Sequence, residues 1–272
     1  MAKVLVERVE SYREVGRFVE KVYDAFGFEK CSYLKPNFLK FDEPENGCIT
    51  HPEVVKAIIS CAKEHGVEMV VIEGGFYRDS AEKCFEAFGL RNLAECINLN
   101  EEDFLEVEIN GKVLKSVRMA KTAIKARNNF LSVPKMKVHH LTKVTLGIKN
   151  SMGFLKKPAL YMHPKISQKL VDLLNFTKPS LTIVDGVIGG SNSEMDTKPV
   201  SHGVMVASDN VVACDFVAAS LMGLNPFEIE HIRLAMESLG LSVEDIEIQG
   251  KLNGRKDYSL SLLSRILGRL GI

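Results

Sequence analysis

Hydrophobic and polar positions follow two alternating spacings along the first third of the chain. Lys3–Val9 alternates apolar and polar residues, as a strand with one buried face does. From Ser11 to Phe26 the apolar side chains recur at helical spacing, and Gly27 follows as a stop signal. Further strands are predicted at Lys30–Leu34 and Val67–Ile72, and further helices at Thr50–His65 and Ser80–Phe88. This order predicts an α/β fold with a mostly parallel sheet flanked by helices.

The middle of the chain interrupts this order. Phe104–Ile109 and Lys112–Val117 are joined by Asn110-Gly111, which predicts a small antiparallel hairpin. We expect one α/β domain over residues 1–272, with an inserted subregion at about 100–127. The later pattern predicts strands at Phe130–Val133, Leu181–Val184 and Val204–Ala207, and helices at Pro164–Phe176, Val211–Met222 and after Arg255. The last helix is amphipathic and is a candidate surface for a homo-oligomer.

Two local signals refine these boundaries. Thr50 and Glu53 have the spacing of a capping box at the start of the second helix, with Pro52 in its first turn. Gly189–Pro199 is polar and contains glycine, which predicts a loop after the strand at Leu181–Val184.

Composition places the chain among soluble globular proteins. Its 46% hydrophobic and 26% charged residues are ordinary for that class. No apolar run approaches the roughly 20 residues that span a bilayer, and the N-terminal residues lack the apolar segment of a secretory signal. We therefore expect a cytoplasmic protein without a membrane partner.

The charge distribution is uneven although the total is neutral. The 63 residues from Ile109 to Val171 carry 14 Lys or Arg and no Asp or Glu, where the chain average predicts about eight acids. The rest of the chain carries 21 basic and 35 acidic residues. One interpretation is a solvated basic face that pairs with acidic flanks. The other is a region that binds anions, because clustered charge sets the local field.

Polar residues stand where four predicted strands end. They are Lys35 with Asn37, Glu73, Lys135 with His139 and His140 beyond it, and Asp185. Ligands bind outside the carboxyl ends of strands in open α/β sheets. If these strands are parallel neighbours, their ends deliver lysines, carboxylates and imidazoles to one crevice.

Each of these residues also has a structural interpretation. Lys35 and Lys135 suit a solvated strand end, and Asp185-Gly186 is ordinary turn chemistry. Adjacent residues on a strand or helix point in different directions, which favours His139 over His140 as the residue facing the site. Asp215, inside an apolar helix, needs a basic partner or a capping role near Asp209.

The cysteines give no metal motif. No two of the six lie closer than 12 positions and no CxxC occurs, so we expect no intrinsic iron–sulfur cluster and no zinc ribbon. Cys61 and Cys84 fall in amphipathic helical patterns and are predicted to pack as small core residues.

Five motifs in order resemble the domain of unknown function 362 family over roughly residues 30–250. They are Lys35-Pro36-Asn37, Thr50-His51-Pro52-Glu53, the run KMKVHHLTKVTLGIKNSMG, Ile183-Val184-Asp185-Gly186, and Ala207-Ser208-Asp209 through Asp215 to Met222-Gly223-Leu224-Asn225-Pro226. Many members of that family carry a ferredoxin-like iron–sulfur module, whose cysteine run this chain lacks. A fainter resemblance links the family to the lactate racemase family, whose members bind a nickel-pincer cofactor through Lys and His.

These observations favour an enzyme or cofactor-binding protein that acts on a small anionic molecule, a carboxylate or phosphate. Lys35, Lys135 and Lys149 would hold the anion, and His139 or His140 would move a proton. Glu73 and Asp185 would act as a base or as ligands of a divalent metal. The remaining candidate ligand-binding residues are Asn37, Thr50, His51 and Asn150.

Two alternatives remain open at this stage. Nucleic acid binding through residues 109–171 is disfavoured by the zero net charge and by the lack of regularly interleaved aromatic residues. The second alternative is an electron-transfer partner that uses the iron–sulfur cluster of another chain.

Overall fold

The computed structural model describes residues 1–251 and 256–270 and shows a mixed α/β architecture. Its strands are β1 (Ala2–Arg8), β2 (Tyr33–Pro36), β3 (Val70–Glu73), β4 (Cys96–Asn98), β5 (Phe104–Glu108), β6 (Ser116–Ala120), β7 (Phe130–Val133), β8 (Lys135–His139), β9 (Lys143–Thr145), β10 (Leu181–Ser191), β11 (Lys198–Ser208) and β12 (Ile246–Gly250). Its α-helices are α1 (Val15–Phe26), α2 (Pro52–Glu64), α3 (Ser80–Ala87), α4 (Lys121–Ala126), α5 (Gly147–Asn150), α6 (Ala159–Met162), α7 (Ile166–Thr177), α8 (Val211–Leu221), α9 (Glu230–Leu239) and α10 (Leu262–Leu270).

The central sheet is mostly parallel, as predicted. Its strands follow the order β12-β1-β11-β10-β7-β2-β3-β4, and β8 joins it by pairing with β10 and β9. On this path β11 runs antiparallel to both of its neighbours, and the other pairs are parallel. The strands β10, β7, β2 and β3 are therefore adjacent and parallel, which brings their carboxyl ends to one edge.

Two hydrophobic cores cover the two faces of the sheet. Helices α1, α2 and α3 pack over one face and helices α4, α7, α8 and α9 over the other. Consecutive strand residues enter opposite cores, as Ile183 and Val184 of β10 do. Cys61 and Cys84 are buried in the first of these cores, which confirms their predicted packing role.

The antiparallel hairpin is present as a separate two-stranded sheet. Its strands β5 and β6 pair from Phe104 opposite Ala120 to Glu108 opposite Ser116. The second strand begins four residues later than Lys112, where the sequence placed it. The connection is longer because Ile109 and Asn110 both donate to the Lys115 carbonyl, and Asn110 adopts a left-handed conformation with φ of 54°.

Two boundary predictions were wrong. The loop predicted at Gly189–Pro199 is shorter than expected, because β10 runs to Ser191 and β11 begins at Lys198, with Ser191 paired to Lys198, which leaves residues 192–197 between the strands. Helix α2 has no Thr50–Glu53 capping box, because the N-cap is His51, whose side chain accepts from the Glu53 N–H. The Thr50 hydroxyl instead accepts from the Asn37 N–H at 2.8 Å and donates to the Val133 carbonyl at 2.6 Å.

Asp215 links helix α8 to the short helix α5. Its two carboxylate oxygens accept hydrogen bonds from the N–H groups of Gly147 and Ile148, each at 2.8 Å. These are the first N–H groups of α5, which lack partners within the helix. Neither the basic partner nor the cap near Asp209 that the sequence suggested holds this carboxylate. Burial raises the pKa of Asp215 to about 7 despite these two hydrogen bonds.

Among the described residues, no helix combines the length and the apolar character needed to cross a membrane.

The tight contact at Gly47 gives a stability prediction. Gly47 has φ of +71°, and a Cβ there would lie against the Gly189 carbonyl oxygen of β10. Gly66 has φ of +73°, but a Cβ there meets no atom within 4 Å. Both Gly→Ala changes therefore introduce the same left-handed strain of about 1–2 kcal/mol. We expect Gly47→Ala to lower the free energy of unfolding by about 1–3 kcal/mol more than Gly66→Ala, measured by denaturant titration. Equal losses would contradict the clash.

The buried carboxyl of Asp215 predicts a pH dependence of stability. Because its pKa is raised to about 7 in the folded state, its contribution is full below the ordinary Asp pKa of about 4 and is lost as the pH rises through 7. Asp215→Asn removes the titration. We expect the free energy of unfolding of the unmodified protein to fall relative to this variant between about pH 4 and 7, by at most about 1.4 kcal/mol per pH unit.

The exposed Asp209→Asn change is the control, because it removes a carboxylate just before the same helix. Parallel pH profiles for the Asp215→Asn variant and the unmodified protein would contradict the prediction.

Candidate functional site

A cavity of about 680 Å³ opens at the carboxyl ends of β2 and β3, where parallel α/β sheets bind ligands. Two acidic side chains, Glu73 and Glu194, line it among the residues that the structure describes. The cationic lining comes from Lys35, Arg78, Lys137, Lys149, Lys156 and Lys157, and the imidazoles from His139, His140 and His163. The charged lining is therefore dominated by basic groups.

The floor of the cavity is built around an ion pair between neighbouring strands. Lys35 Nζ lies 2.9 Å from both carboxylate oxygens of Glu73, and the two side chains are 1% and 2% exposed. The Glu73 carboxylate also accepts N–H groups of Phe38 at 3.0 Å and Gly74 at 2.9 Å. The buried carboxylate is therefore compensated by both an ammonium and hydrogen bonds, as a buried charge requires.

Asn150 fixes the orientation of Asn37 beside this pair. The Asn150 Nδ2 donates to the Lys35 carbonyl at 3.2 Å, so its Oδ1 faces Lys35 Nζ at 3.4 Å and Asn37 Nδ2 at 3.3 Å. This leaves Asn37 Oδ1 as a buried acceptor without a partner in the described part of the chain. The structure thus brings Lys35, Asn37 and Glu73 together, as the strand-end argument expected, and places Asn150, a separate ligand-binding candidate, beside them.

Two further lysines line the cavity, one with hydrogen-bond partners and one without. Lys137 is fully buried on β8, and its Nζ donates to the carbonyls of Cys48 at 2.7 Å and Glu194 at 3.1 Å. Lys149 on α5 is half-buried, and within residues 1–251 and 256–270 its ammonium makes no hydrogen bond or ion pair. Burial lowers the pKa of Lys149 to about 8, and the charge of Lys137 acts in the same direction. The charge of Glu194 opposes this shift, but Lys149 has no direct hydrogen-bond or ion-pair partner among the described residues.

The hydrogen bonds of His139 and His140 assign different roles to the two rings. The Leu141 N–H donates to Nδ1 of His139 at 3.2 Å, so the neutral ring carries its proton on Nε2. Burial lowers the pKa of His139 well below 6.5, which keeps that ring neutral. Nδ1 of His140 lies 2.6 Å from a Glu194 carboxylate oxygen, so it is the protonated nitrogen and leaves Nε2 as an acceptor.

Both histidines line the cavity, although strand alternation predicted that one would point away. Strand β8 ends at His139, and His140 lies in the following turn. The alternation rule does not extend into that turn, and the two rings stack with centroids 4.7 Å apart and planes 14° apart.

Lys135 and Asp185 form a second buried pair, which lies outside the cavity lining. Lys135 Nζ lies 2.8 Å from the Asp185 carboxylate, and both side chains are 0% exposed. Tyr12 OH accepts from this ammonium at 2.9 Å and donates to the carboxylate at 3.1 Å. Asp185 lies within β10 and Lys135 begins β8, so neither ends a strand as predicted. The reason is that Pro134 divides β7 from β8 and that β10 continues through its pairing with β11.

Thr50 and His51 also lie away from the cavity lining. The Thr50 hydroxyl joins the backbones of Asn37 and Val133. The His51 N–H donates to Asp185 at 2.9 Å, and its ring stacks on Tyr12 with centroids 3.5 Å apart. His51 and Tyr12 line a different surface depression. Both predicted ligand-binding residues therefore contact the sheet edge from outside the cavity.

The carboxylate oxygens and imidazole nitrogens around the cavity bind protons and lysine ammonium groups. Glu73 and Asp185 each hold a lysine ammonium where a divalent ion would need to sit. The side chains of His139, His140 and Glu194 converge, but the separation of 2.6 Å between His140 and Glu194 is a hydrogen-bond distance. Two ligands at about 2.0–2.2 Å from one tetrahedral zinc ion lie farther apart than this. The described arrangement does not fit a metal without rearrangement of these side chains.

Sequence reasoning missed several cavity residues. Lys137 could have been found, because residues 135, 137 and 139 alternate with apolar ones in the run KMKVH and so belong to one strand face. Glu194 lies in a polar, glycine-bearing segment that gave no signal of contact with His140, 54 positions away. His163 stands alone in the sequence and became a candidate only through the fold.

One curated protein and one solved structure resemble this chain. A thylakoid-associated protein of Synechocystis sp. is 28% identical over 226 residues, which cover 79% of this chain and 70% of that protein. The crystal structure of a Thermotoga maritima protein is 12% identical with a TM-score of 0.49. The match covers 85% of this chain, which spans 60% of the length of that solved chain.

A comparison with protein-family models tests the family resemblance of the motifs. The family described as a domain of unknown function (DUF362) matches residues 33–220, the span that contains the cavity floor, both histidines and Asp215. The fainter resemblance to the lactate racemase family stays a prediction. The chain belongs to the DUF362 family, as its ordered motifs predicted.

Proposed function

We propose that the protein is an enzyme that binds a small organic oxyanion, a carboxylate or phosphate, in the cavity beside Lys149. The observation that carries this proposal is the state of Lys149, a half-buried ammonium that lines a cavity and has no direct hydrogen-bond or ion-pair partner among the described residues. An unpaired charge away from bulk water is costly unless a ligand compensates it. A bound carboxylate or phosphate supplies that compensation.

The remaining charges support an anion at this position. Both acids of the lining are already paired, Glu73 with Lys35 and Glu194 with His140. Lys137 adds a second buried ammonium whose present partners are neutral carbonyls. The electrostatic potential inside the cavity is therefore positive, and the low-dielectric protein around the cavity strengthens its attraction for an anion.

The histidine pair supports acid–base chemistry on the bound anion. The Glu194 carboxylate holds His140 with Nδ1 protonated, so Nε2 is free to accept a proton from a ligand. The hydrogen bond from His140 lowers the pKa of Glu194 against the opposing effect of burial, and Glu194 therefore remains a charged acceptor. His139, with its proton on Nε2, is a neutral hydrogen-bond donor. In this proposal His140 is the base and His139 orients the ligand.

The two ion pairs have supporting roles in this proposal. Lys35 and Glu73 form the floor and hold Asn150 and, through it, Asn37. Lys135 and Asp185, which we placed among the catalytic residues, would position β8 and its histidines from behind. Electron transfer with a separate iron–sulfur protein and nucleic acid binding stay alternative predictions, and the cytoplasmic location also stays a prediction.

The charge of Lys149 predicts opposite effects on stability and on binding. Lys149→Met keeps the length of the side chain and removes the unpaired ammonium. We expect the free energy of unfolding to rise by roughly 1–2 kcal/mol. We expect affinity for acetate and for inorganic phosphate to fall about tenfold or more, because a charge-assisted hydrogen bond is lost. Denaturant titration and titration calorimetry at low ionic strength measure the two effects.

Lys125→Met is the matched control, because Lys125 is exposed on α4 and does not line the cavity. It should change neither quantity appreciably. If Lys149→Met destabilises the protein and leaves anion binding unchanged, Lys149 has a structural role and the proposal fails.

Anion affinity should also depend on pH through Lys149. Because its pKa is lowered to about 8, the ammonium is charged at pH 7 and largely neutral at pH 9. The charged and titratable groups that interact with it are Lys137, His139, His163, His231 and Glu194. We expect acetate, whose own charge is constant in this range, to bind progressively more weakly from pH 7 to pH 9. The Lys149→Met variant isolates this residue and should lose most of that dependence.

A further inference from the structure

The cavity combines buried charged side chains with exposed apolar ones. The basic and hydrogen-bonding residues that line it include the fully buried Lys35, Lys137 and Asn150. Two of the large apolar residues that line it are strongly exposed: Phe76 is 57% and Leu160 is 79% exposed. The floor therefore holds buried charged groups, and the mouth carries the exposed apolar side chains of Phe76 and Leu160 together with the exposed charged residues Arg78 and Lys157.

These two apolar residues belong to different segments. Phe76 follows β3 in a connection that Asn100 holds by donating to the Tyr77 carbonyl at 3.1 Å. Leu160 lies on α6, between two lysines, Lys157 and Lys165, that adopt left-handed conformations with φ of 46° and 57°. Left-handed conformations of non-glycine residues need surrounding support, so α6 is held in a defined position at the mouth.

The volume of the cavity exceeds the needs of an oxyanion alone. A carboxylate or phosphate group takes the space of roughly two to four waters, at about 30 Å³ each. The cavity of about 680 Å³ leaves most of its space beside apolar residues, which also include Leu39, Met152 and Leu155. Exposed apolar groups that border such a space gain free energy when a ligand covers them.

We propose that the ligand is an amphipathic oxyanion, with its charged head at Lys137 and Lys149 and an apolar chain or ring between Phe76 and Leu160. This inference rests on the proposed function, because it assumes that the floor holds the head. It adds that the binding energy grows with the apolar part of the ligand, up to the length that reaches the mouth.

The test is a series of probes with one head and increasing chain length. Titration calorimetry would compare acetate, butanoate, hexanoate and octanoate, and in a second arm inorganic phosphate, butyl phosphate and octyl phosphate. Each buried methylene should increase affinity by about twofold to fourfold. The arm with the tighter members identifies the head as carboxylate or phosphate. Octanol, which lacks the charge, should bind far more weakly than octanoate or octyl phosphate.

Variants at the mouth assign the effect to the two exposed residues. Phe76→Ser and Leu160→Ser, alone and combined, should reduce the gain per methylene and leave acetate and phosphate binding unchanged. Both side chains are exposed, so we expect little change in the free energy of unfolding. Leu239→Ser is the matched control, because Leu239 is 46% exposed on α9 and does not line the cavity.

The outcomes separate this inference from the proposed function. If short and long probes bind equally well and Lys149→Met abolishes both, the oxyanion site stands and the amphipathic ligand is ruled out. If no probe binds, or if Lys149→Met has no effect on any of them, the proposed function itself fails. If octanol binds as tightly as octanoate, the cavity is a plain apolar site and both ideas are wrong.

Discussion

Two buried lysine–carboxylate pairs determine the geometry of the sheet edge. Lys35–Glu73 joins β2 to β3, and Lys135–Asp185 joins β8 to β10. Loss of one partner from such a pair leaves an uncompensated charge and typically costs about 3–5 kcal/mol. The pairs therefore restrict how the strands can shift against one another. Asn37, Asn150, Thr50 and His51 all bond to these pairs or to the backbone beside them, so the position of the whole cavity floor depends on them.

The fold class and several residues of the cavity floor could be predicted from the sequence for one physical reason. Parallel strands that carry polar residues at their carboxyl ends must present those residues along one edge, whatever the detailed packing. Lys35, Asn37 and Glu73 followed from that rule alone. His139 and His140 came from the same rule, as residues beyond the strand end at Lys135, and Asn150 came from the run of basic residues without acids.

What the sequence could not show depends on contacts between distant segments. Glu194 lies in the loop between β10 and β11 and reaches His140 from there, and the position of this loop depends on the pairing of the two strands into the predicted loop segment. The partners of Asp215 lie on α5, so an acid within an apolar helix has no visible role until α5 is packed against α8. In the same way, the division of the predicted residues between the cavity and the Lys135–Asp185 pair arises from Pro134, which separates β7 from β8 by a single residue.

The position of β1 has a consequence for how the chain folds. This first strand pairs with β11, where Leu5 stands opposite Ala207, and with β12, where Ala2 stands opposite Ile246. Both hydrogen-bonding partners therefore leave the ribosome long after β1 does. Contacts between segments that lie far apart in the sequence require closure of a long loop, which slows folding. During synthesis β1 therefore has no sheet partner until β11 and β12 have been made.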